Sequence, residues 1–337
     1  MRVEEFEYPL PESAIAQEAI EPRNDSRLLD TRDLSDHRFS DLPSLLLPND
    51  LVVVNETRVR AARLAGRRTG TGGAVELLVL SARPDGLWSG LVRPARRLRP
   101  GVEIQFEGLT ATIIDGPEEG LVAVDLRAPN VEAAIDSAGQ VPLPPYFRGH
   151  LENSDRYQTI FARTTGSAAA PTAGLHFTQE VVSGLEARGV EMATIDLHVG
   201  VDTFRPMTVD DVESHRMHSE WCSVPEVTAA AISETRQRGG RVVAVGTTVV
   251  RTLETMGNDD GTVEPRSGDT DLFLLPGSEF RVVDALVTNF HVPGSSLVVL
   301  VAAFMGDGWR QAYQAALDRG YRFLSFGDAM YAERRST

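Results

Sequence analysis

The feature that most constrains the fold is a change of hydrophobic pattern near residue 61 and again near residue 140. Across residues 61–124, short apolar segments recur at intervals of roughly ten residues, which is the spacing of small antiparallel sheets and barrels. Glycine-containing turns such as TGTGG and PDG separate these segments, and residues 70–73 are suited to closing the first hairpin. This stretch therefore predicts an all-β module.

A second pattern begins near Tyr157, where predicted strands alternate with predicted helices. We predict strands at 51–55, 190–199, 241–246, 271–275 and 282–288, and helices at 178–188, 225–239, 248–256, 296–305 and 307–319. Thr178 is a typical helix N-cap and Gly257 a typical helix stop. The alternation predicts an α/β domain, and 337 residues are enough for two domains.

Several function classes conflict with the residues present. All 33 basic side chains are arginine, so chemistry that needs a lysine amine or a Walker-type phosphate loop is excluded. No glycine-rich dinucleotide fingerprint follows a predicted strand, and no nucleophile elbow of the type Gly-x-Ser-x-Gly occurs. Cys222 is the only cysteine. The longest apolar run, 297–305, is too short to cross a bilayer, and we expect a cytoplasmic protein without a membrane partner.

Candidate ligand-binding segments lie where strands lead into loops or helices. Residues 168–178 read AAAPTAGLHFT, and their backbone amides could hold a carboxylate beside Thr172 and His176. His198, His291 and the turn at 246–248 each follow a predicted strand, where ligands of open α/β sheets gather. The alternative is that the loop serves packing and that each histidine makes a structural hydrogen bond.

The segment SHRMHSEWC contains His215, His218, Glu220 and Cys222. The two histidines are spaced to meet on one helix face. However, the segment lacks the glutamate of a helical zinc motif, and no second cluster completes a metal cage. We expect no metal site here, and we consider Glu220 a general base or a hydrogen-bonding partner of a polar ligand.

Charge is unevenly distributed along the chain. The net charge is −15, yet residues 58–99 hold ten arginines against Glu76 and Asp85, so this window carries +8 and the rest carries −23. Such a basic β module could bind a phosphate backbone. The alternative is a solvated surface whose arginines are neutralised by acids from elsewhere in the fold.

The chain resembles the S-adenosylmethionine:tRNA ribosyltransferase-isomerases of queuosine biosynthesis. The resemblance extends nearly end to end, through YPLPESAIAQ, LVVVNETRVRAARL, GQVPLPPYF, APTAGLHFT, DLHVGVDTFRPM, HRMHSE, VVAVGTTVVRTLE and VDALVTNFHVPGSSL. It implies an α/β fold with an inserted small antiparallel β-barrel domain. It assigns 61–156 to the barrel, and 1–60 with 157–337 to a discontinuous domain that binds S-adenosylmethionine.

The resemblance also implies a reaction. The ribosyl part of S-adenosylmethionine is transferred to 7-aminomethyl-7-deazaguanine at the tRNA wobble position and isomerised, giving epoxyqueuosine and releasing adenine and methionine. A base removes a proton from the 5′-methylene next to the sulfonium, adenine leaves, and the aminomethyl nitrogen attacks the sugar. S-adenosylmethionine is then a co-substrate, no cofactor is permanently bound, and the protein acts on tRNA, as a monomer.

The resemblance assigns roles to three groups of residues. His176 and His198 are the candidate bases, and Glu220 or His218 serves the leaving adenine. S-adenosylmethionine is expected at Pro171, Thr172, Ala173, Gly174, Gly246, Thr247, Thr248 and His291, with backbone amides of the loop at 171–174 holding the methionine carboxylate. tRNA phosphates are expected at Arg58, Arg60, Arg93, Arg96, Arg97 and Arg99.

Four positions depart from the family pattern: Glu56 replaces aspartate, Asp202 glycine, Val249 serine and Ser278 tyrosine. Asp202 adds a negative charge beside the expected site. Two alternatives therefore stay open, a related S-adenosylmethionine-using enzyme with another acceptor and a non-catalytic tRNA-binding protein.

Overall fold

The chain forms two units, one inserted into the sequence of the other. The structure is a computed structural model that describes residues 1–118, 120–149, 151, 153–200 and 206–335. The larger unit comprises Met1–Arg58, Pro144–Thr164 and Ala170–Thr337, and the smaller comprises Val59–Leu143 and Thr165–Ala169.

The strands of the described residues are, in chain order, β1 Arg27–Asp30, β2 Ser35–Arg38, β3 Leu51–Asn55, β4 Thr57–Val59, β5 Arg63–Arg68, β6 Ala74–Ala82, β7 Trp88–Arg93, β8 Glu103–Phe106, β9 Leu109–Glu118, β10 Leu121–Arg127, β11 Thr164–Ser167, β12 Glu191–Leu197, β13 Glu220–Ser223, β14 Val242–Val245, β15 Ser267–Thr270, β16 Ala285–Asn289 and β17 Ala329–Glu333. The α-helices are α1 Leu42–Leu45, α2 Val131–Ala138, α3 Gln179–Ala187, α4 Glu226–Gln237, α5 Thr247–Met256, α6 Ser296–Met305 and α7 Gly308–Asp318. None of these helices is long and apolar enough to cross a membrane.

A mixed sheet organises the larger unit. Among the described residues it has nine strands, in the order β15-β13-β12-β3-β14-β16-β17-β1-β2. The four central strands β12, β3, β14 and β16 are parallel to one another, whereas β17 runs against β16 and β1 runs parallel to β17. Strands β3 and β14, at the middle of the sheet, are rich in valine and fully buried, as is typical of parallel strands covered on both faces.

Two hydrophobic clusters hold this sheet in place. One lies on the face covered by α3 and includes Val52, Val243 and Phe177. The other is built around α6 and α7 and includes Trp309 and Phe290. Sequence signals fix the helix limits, since the Thr178 hydroxyl accepts a hydrogen bond from Val181 N (3.4 Å) at the start of α3.

Six antiparallel strands of the smaller unit close into a barrel, in the order β10-β7-β6-β5-β8-β9. Alternate side chains are buried along the strands, for example Leu109, Ala111 and Ile113 in β9, as a filled barrel requires. The predicted class, an α/β fold with an inserted small antiparallel β-barrel, is confirmed.

Two sequence predictions need correction. The strand predicted at 271–275 is absent. The Arg251 guanidinium donates to the Leu272 carbonyl (3.1 Å) and the Leu272 amide donates to Thr270 Oγ1 (3.3 Å), so neither backbone group of Leu272 is left for pairing with a strand. The module predicted at 61–156 has different limits, since Pro144–Thr164 groups with the larger unit. There the Tyr146 hydroxyl lies 2.5 Å from Ser325 Oγ.

Candidate functional site

One edge of the large sheet collects most of the predicted site residues. The carboxyl ends of β12, β3, β14 and β16 meet there, because these strands are parallel. Since β17 and β1 run the opposite way, the residues just before them, Asp328 and Ser26, lie at the same edge. Edges of this kind are the usual ligand sites of open α/β sheets.

His176 lies in a buried hydrogen-bond network at this edge and is 5% exposed. Its Nε2 is 3.0 Å from the Asn289 amide nitrogen, and its Nδ1 is 2.7 Å from Ser26 Oγ. The same amide nitrogen donates to the Asp328 carbonyl (3.3 Å), which fixes the orientation of the amide. Nε2 of His176 must then accept, so the imidazole is neutral with its proton on Nδ1.

The surroundings of His176 keep it neutral. Burial, and next the charges of Arg322 and Arg23, lower its pKa to about 3. The ring also stacks on Phe39, with 4.9 Å between centroids. Because both ring nitrogens already have protein partners, His176 fixes the geometry of its neighbours.

A small polar pocket adjoins this network. Its lining includes Thr172, Asn289, His291 and Ser295, so the structure brings Thr172 and His291 together as predicted. Thr172 donates its hydroxyl to Asn289 Oδ1 (3.0 Å), and Nε2 of His291 is 3.0 Å from Thr288 Oγ1. Burial lowers the pKa of His291 to about 3, so this imidazole is also neutral.

The predicted amide cradle at residues 171–174 forms a tight turn. The Gly174 amide donates to the Pro171 carbonyl (2.9 Å), so that amide is already engaged. A side chain at Gly174 would come 2.9 Å from Thr159 Cγ2, which explains the glycine. Ala173 is buried in this turn.

The turn at Gly246, Thr247 and Thr248 lies beside Ala173. A Cβ at Gly246 would be 3.6 Å from that of Ala173, and the φ of +89° explains the glycine. Helix α5 begins here, so its first amides have no acceptor within the helix. Thr248 Oγ1 is buried and has no hydrogen-bond partner in the described residues. The turn therefore offers donors to a carboxylate or hydroxyl group.

His198 ends β12 at the same edge. Its amide donates to the Trp221 carbonyl (2.9 Å), and its ring contacts the Trp221 ring at 4.7 Å. Burial lowers its pKa. Unlike His176, His198 keeps its Nε2 buried without a hydrogen-bond partner in the described ranges, so that atom is available to a ligand.

Glu220 lies on the other face of the sheet. It forms a buried ion pair with Arg251 of α5, in which the two side chains are 5% and 4% exposed. Its second oxygen accepts from the Gly200 amide (2.6 Å). Glu220 therefore anchors the segment after His198, and both of its oxygens have partners.

The predicted catalytic residues lie in two separate regions of the sheet edge. His198 follows β12, whereas His176 binds Asn289 at the end of β16, and β3 and β14 lie between those strands. Three strand spacings of about 4.8 Å give roughly 14 Å along the edge. One ligand contacts both regions only if it is elongated.

The predicted phosphate-binding arginines differ in their environment. Arg93, Arg96 and Arg99 line one groove of the barrel unit and have no ion pair within the described residues. Arg97 is exposed in that unit, and Arg58 is exposed in the larger one. Arg60 differs, since it is ion-paired with Glu132 and Asp136 (3.3 Å) and its side chain is 16% exposed.

The other singled-out positions are scattered. His218 is exposed. Val249 is fully buried in α5, and Ser278 closes a turn by accepting from the Leu275 amide (3.0 Å). Asp202 lies outside the described residues.

Sequence reasoning missed Asn289 and Arg251. Arg251 had a detectable signal, since it follows two valines in a predicted helix, and a charged residue that packs among apolar ones needs a buried partner. Asn289 had a weaker one, a polar residue at the end of a strand that otherwise reads ALVT.

The chain matches known proteins along nearly all of its length. A family described as "Queuosine biosynthesis protein" matches residues 3–332. A protein of Symbiobacterium thermophilum named S-adenosylmethionine:tRNA ribosyltransferase-isomerase is 51% identical over 98% of this chain and 99% of its own length. One of the same name from Natranaerobius thermophilus is 48% identical with the same coverage.

A solved structure agrees with these matches. The S-adenosylmethionine tRNA ribosyltransferase of Thermotoga maritima is 38% identical, with a TM-score of 0.55, covering 97% of this chain and 99% of that one. The sequence matches, together with the barrel and the sheet edge described above, lead to one conclusion: the chain belongs to the queuosine biosynthesis protein family.

Proposed function

We propose that this protein is an S-adenosylmethionine:tRNA ribosyltransferase-isomerase. It transfers and isomerises the ribosyl part of S-adenosylmethionine onto 7-aminomethyl-7-deazaguanine at the tRNA wobble position, releasing adenine and methionine. The observation that carries this proposal is the similarity to proteins of that name at 44–51% identity over 98% of the chain.

S-adenosylmethionine lies along the carboxyl edge of the sheet in this proposal. Its carboxylate is held where the turn at residues 171–174 meets the start of α5. The Thr248 hydroxyl, which has no hydrogen-bond partner in the described residues, and the Thr247 and Thr248 amides, which have no acceptor within the helix, support this assignment. Thr172 and His291 line the neighbouring pocket.

We assign the removal of the 5′ proton to His198. A general base needs a free lone pair within reach of the proton. Nε2 of His198 has no hydrogen-bond partner in the described residues and carries such a lone pair when the ring proton is on Nδ1. The ring nitrogens of His176 and the oxygens of Glu220 already have protein partners. We therefore propose that these two are positioning residues, and that His218 serves the leaving adenine.

We assign tRNA phosphates to Arg93, Arg96 and Arg99, with Arg58 and Arg97 as further contacts. These guanidinium groups have no ion pair within the described residues, so they can bind phosphate without first breaking one. Arg60 is left out because two acids neutralise it. We further propose a cytoplasmic monomer that uses S-adenosylmethionine as co-substrate without a resident cofactor.

The test is to incubate the protein with S-adenosylmethionine and tRNA carrying the aminomethyl precursor base. Adenine and methionine should appear together, in equal amounts and only when that tRNA is present. Methylthioadenosine or S-adenosylhomocysteine formed without RNA would contradict the proposal and favour a different reaction on the same scaffold.

A further inference from the structure

Two carboxylates, Glu56 and Asp196, lie next to each other at the carboxyl edge. They follow a paired position of adjacent parallel strands, since Asn55 of β3 is in register with Ile195 of β12. The ladder continues one step further, where the Glu56 amide donates to the Ile195 carbonyl (2.9 Å). The proposed function has so far given neither carboxylate a task.

Each carboxylate has a buried oxygen without a hydrogen-bond partner in the described residues. Asp196 is 9% exposed, and its Oδ1 is buried with no hydrogen-bond partner in the described residues. Oε2 of Glu56 is in the same condition, with only an ion pair of 3.5 Å to Arg163, whose side chain is 77% exposed. A buried carboxylate oxygen without a donor is energetically costly, so this arrangement indicates a ligand that supplies donors.

The pair faces the same side of the sheet as His198. Side chains alternate along a strand, so Asp196 and His198 of one strand point the same way. Asp196 is in register with Ser223 of β13. Among the described residues, the charge of Glu56 acts on Asp196, Arg163 pairs with Glu56, and Thr164 supplies Asp196 with a neutral side-chain hydrogen bond.

We propose that Asp196 and Glu56 bind the protonated aminomethyl group of the acceptor base and remove its proton. This inference rests on the proposed function. A primary ammonium has no lone pair and cannot attack a carbon. One N–H bond breaks and the proton passes to a carboxylate oxygen. The electron pair left on nitrogen forms the bond to the sugar, which loss of adenine, with the electrons of its broken bond to the sugar, has left unsaturated and electrophilic.

The donor count selects the ammonium over the other cation of the reaction. An ammonium group has three N–H donors, which is enough to satisfy both free oxygens. The sulfonium of S-adenosylmethionine has no N–H or O–H donor and would leave them unsatisfied. Burial, and next the charge of Glu56, raise the pKa of Asp196, and a carboxylate with a raised pKa is a stronger base.

The experiment compares Asp196→Asn and Glu56→Gln with the wild type, measuring the rate at which the modified base forms in precursor tRNA between pH 6.5 and 10, since this product requires the attack of the amine. We expect both variants to be about 100-fold slower at pH 7. Their rates should rise by about tenfold per pH unit until the amine loses its proton unaided. The wild-type rate should rise much less, because the enzyme itself takes up the proton.

Two further variants serve as controls. Glu56→Asp keeps the carboxylate and should keep the wild-type pH profile. Glu191→Gln removes a carboxylate from β12, the strand of Asp196. Glu191 is half-exposed and pairs with Arg238 (2.9 Å), so this variant should keep the wild-type rate and pH profile. Equilibrium binding of S-adenosylmethionine should stay within about twofold in every variant, which also verifies that each has folded.

Three results would overturn the inference. If Asp196→Asn and Glu56→Gln keep the wild-type pH profile, the pair does not take the amine proton. If both variants lose affinity for S-adenosylmethionine, the pair binds the sulfonium instead. If the wild type releases no adenine at all, the proposed function itself fails, and this inference fails with it.

Discussion

The Asn289 side-chain amide joins His176 and Thr172, donating to Nε2 of the histidine (3.0 Å) and accepting from the threonine hydroxyl (3.0 Å). Residues far apart in sequence are thereby locked together beneath the pocket. Asn289 is 2% exposed, so water cannot replace either bond without rearrangement.

Asn289→Ala should therefore lower the free energy of unfolding by about 2–4 kcal/mol, since it leaves two buried polar groups unsatisfied. The measurement is urea denaturation. Asn130→Ala is the control, because Asn130 caps the barrel-unit helix α2 at an exposed position and its loss should cost about 1 kcal/mol. Equal losses in the two variants would contradict the structural role of Asn289.

Acid should weaken the wild type through His176. Its folded-state pKa of about 3 lies below the ordinary 6.5, so the unfolded chain binds the proton first as the pH falls. Its contribution to stability is present above pH 6.5 and is lost progressively between 6.5 and about 3. The difference in unfolding free energy between wild type and His176→Gln should shrink over that range. His218→Gln, at an exposed position, is the control, and a constant difference for His176→Gln would refute the prediction.

Glu220→Gln should destabilise the protein by about 3–5 kcal/mol, because it leaves the Arg251 charge buried and uncompensated. Thermal or urea unfolding measures this loss. Glu264→Gln breaks an exposed pair with Arg266 (3.8 Å) and should cost less than about 1 kcal/mol. A stable Glu220→Gln variant that has lost only turnover would instead assign the carboxylate a direct role in the reaction.

Replacing Arg93, Arg96 and Arg99 together by glutamine should weaken tRNA binding and flatten its salt dependence. Each lost phosphate contact lowers the slope of log affinity against log salt by about 0.7–0.9. Binding measured at several salt concentrations tests this. The matched variant replaces Arg60, Arg63 and Arg83, which are ion-paired in the same unit. If both triple variants lose affinity equally, the groove has no special role.

His198→Gln should lower kcat by about 100-fold or more while leaving the affinity for S-adenosylmethionine nearly unchanged. Because burial lowers the pKa of His198, the basic form persists in mild acid, and the acid limb of the wild-type pH–rate profile should fall below pH 6.5. His215→Gln removes another half-buried histidine whose pKa burial lowers and should have little effect. An acid limb above pH 6.5 would argue against His198 as the base.

Local signals in the sequence predicted much of the fold. The buried strand at 51–55 was located to the residue, and Thr178 and Gly257 mark the limits of helices because caps act over only a few residues. The glycine turns and the period of about ten residues located the barrel for the same reason. The prediction of a strand at 271–275 was wrong because the Arg251 side chain of α5 donates a hydrogen bond to the backbone carbonyl of Leu272.

Much less of the site could be predicted, because it depends on contacts between distant segments. Ser26 and His176 are 150 positions apart, and Asn289 lies 113 beyond the histidine. Motif spacing indicated that His176 and Glu220 were important. It could not reveal that their polar atoms are already occupied, nor that Asp196 and Glu56 share an edge. Those facts follow from strand order, which no local pattern encodes.

The separation of roughly 14 Å along the edge between the regions of His198 and His176 affects how products leave. An intact S-adenosylmethionine lying along the edge is held at both ends, so each contact keeps the other in place. Once the molecule is cleaved, methionine and adenine each keep only one anchor and dissociate independently. The strand order that makes the site long would thus also favour the release of both products.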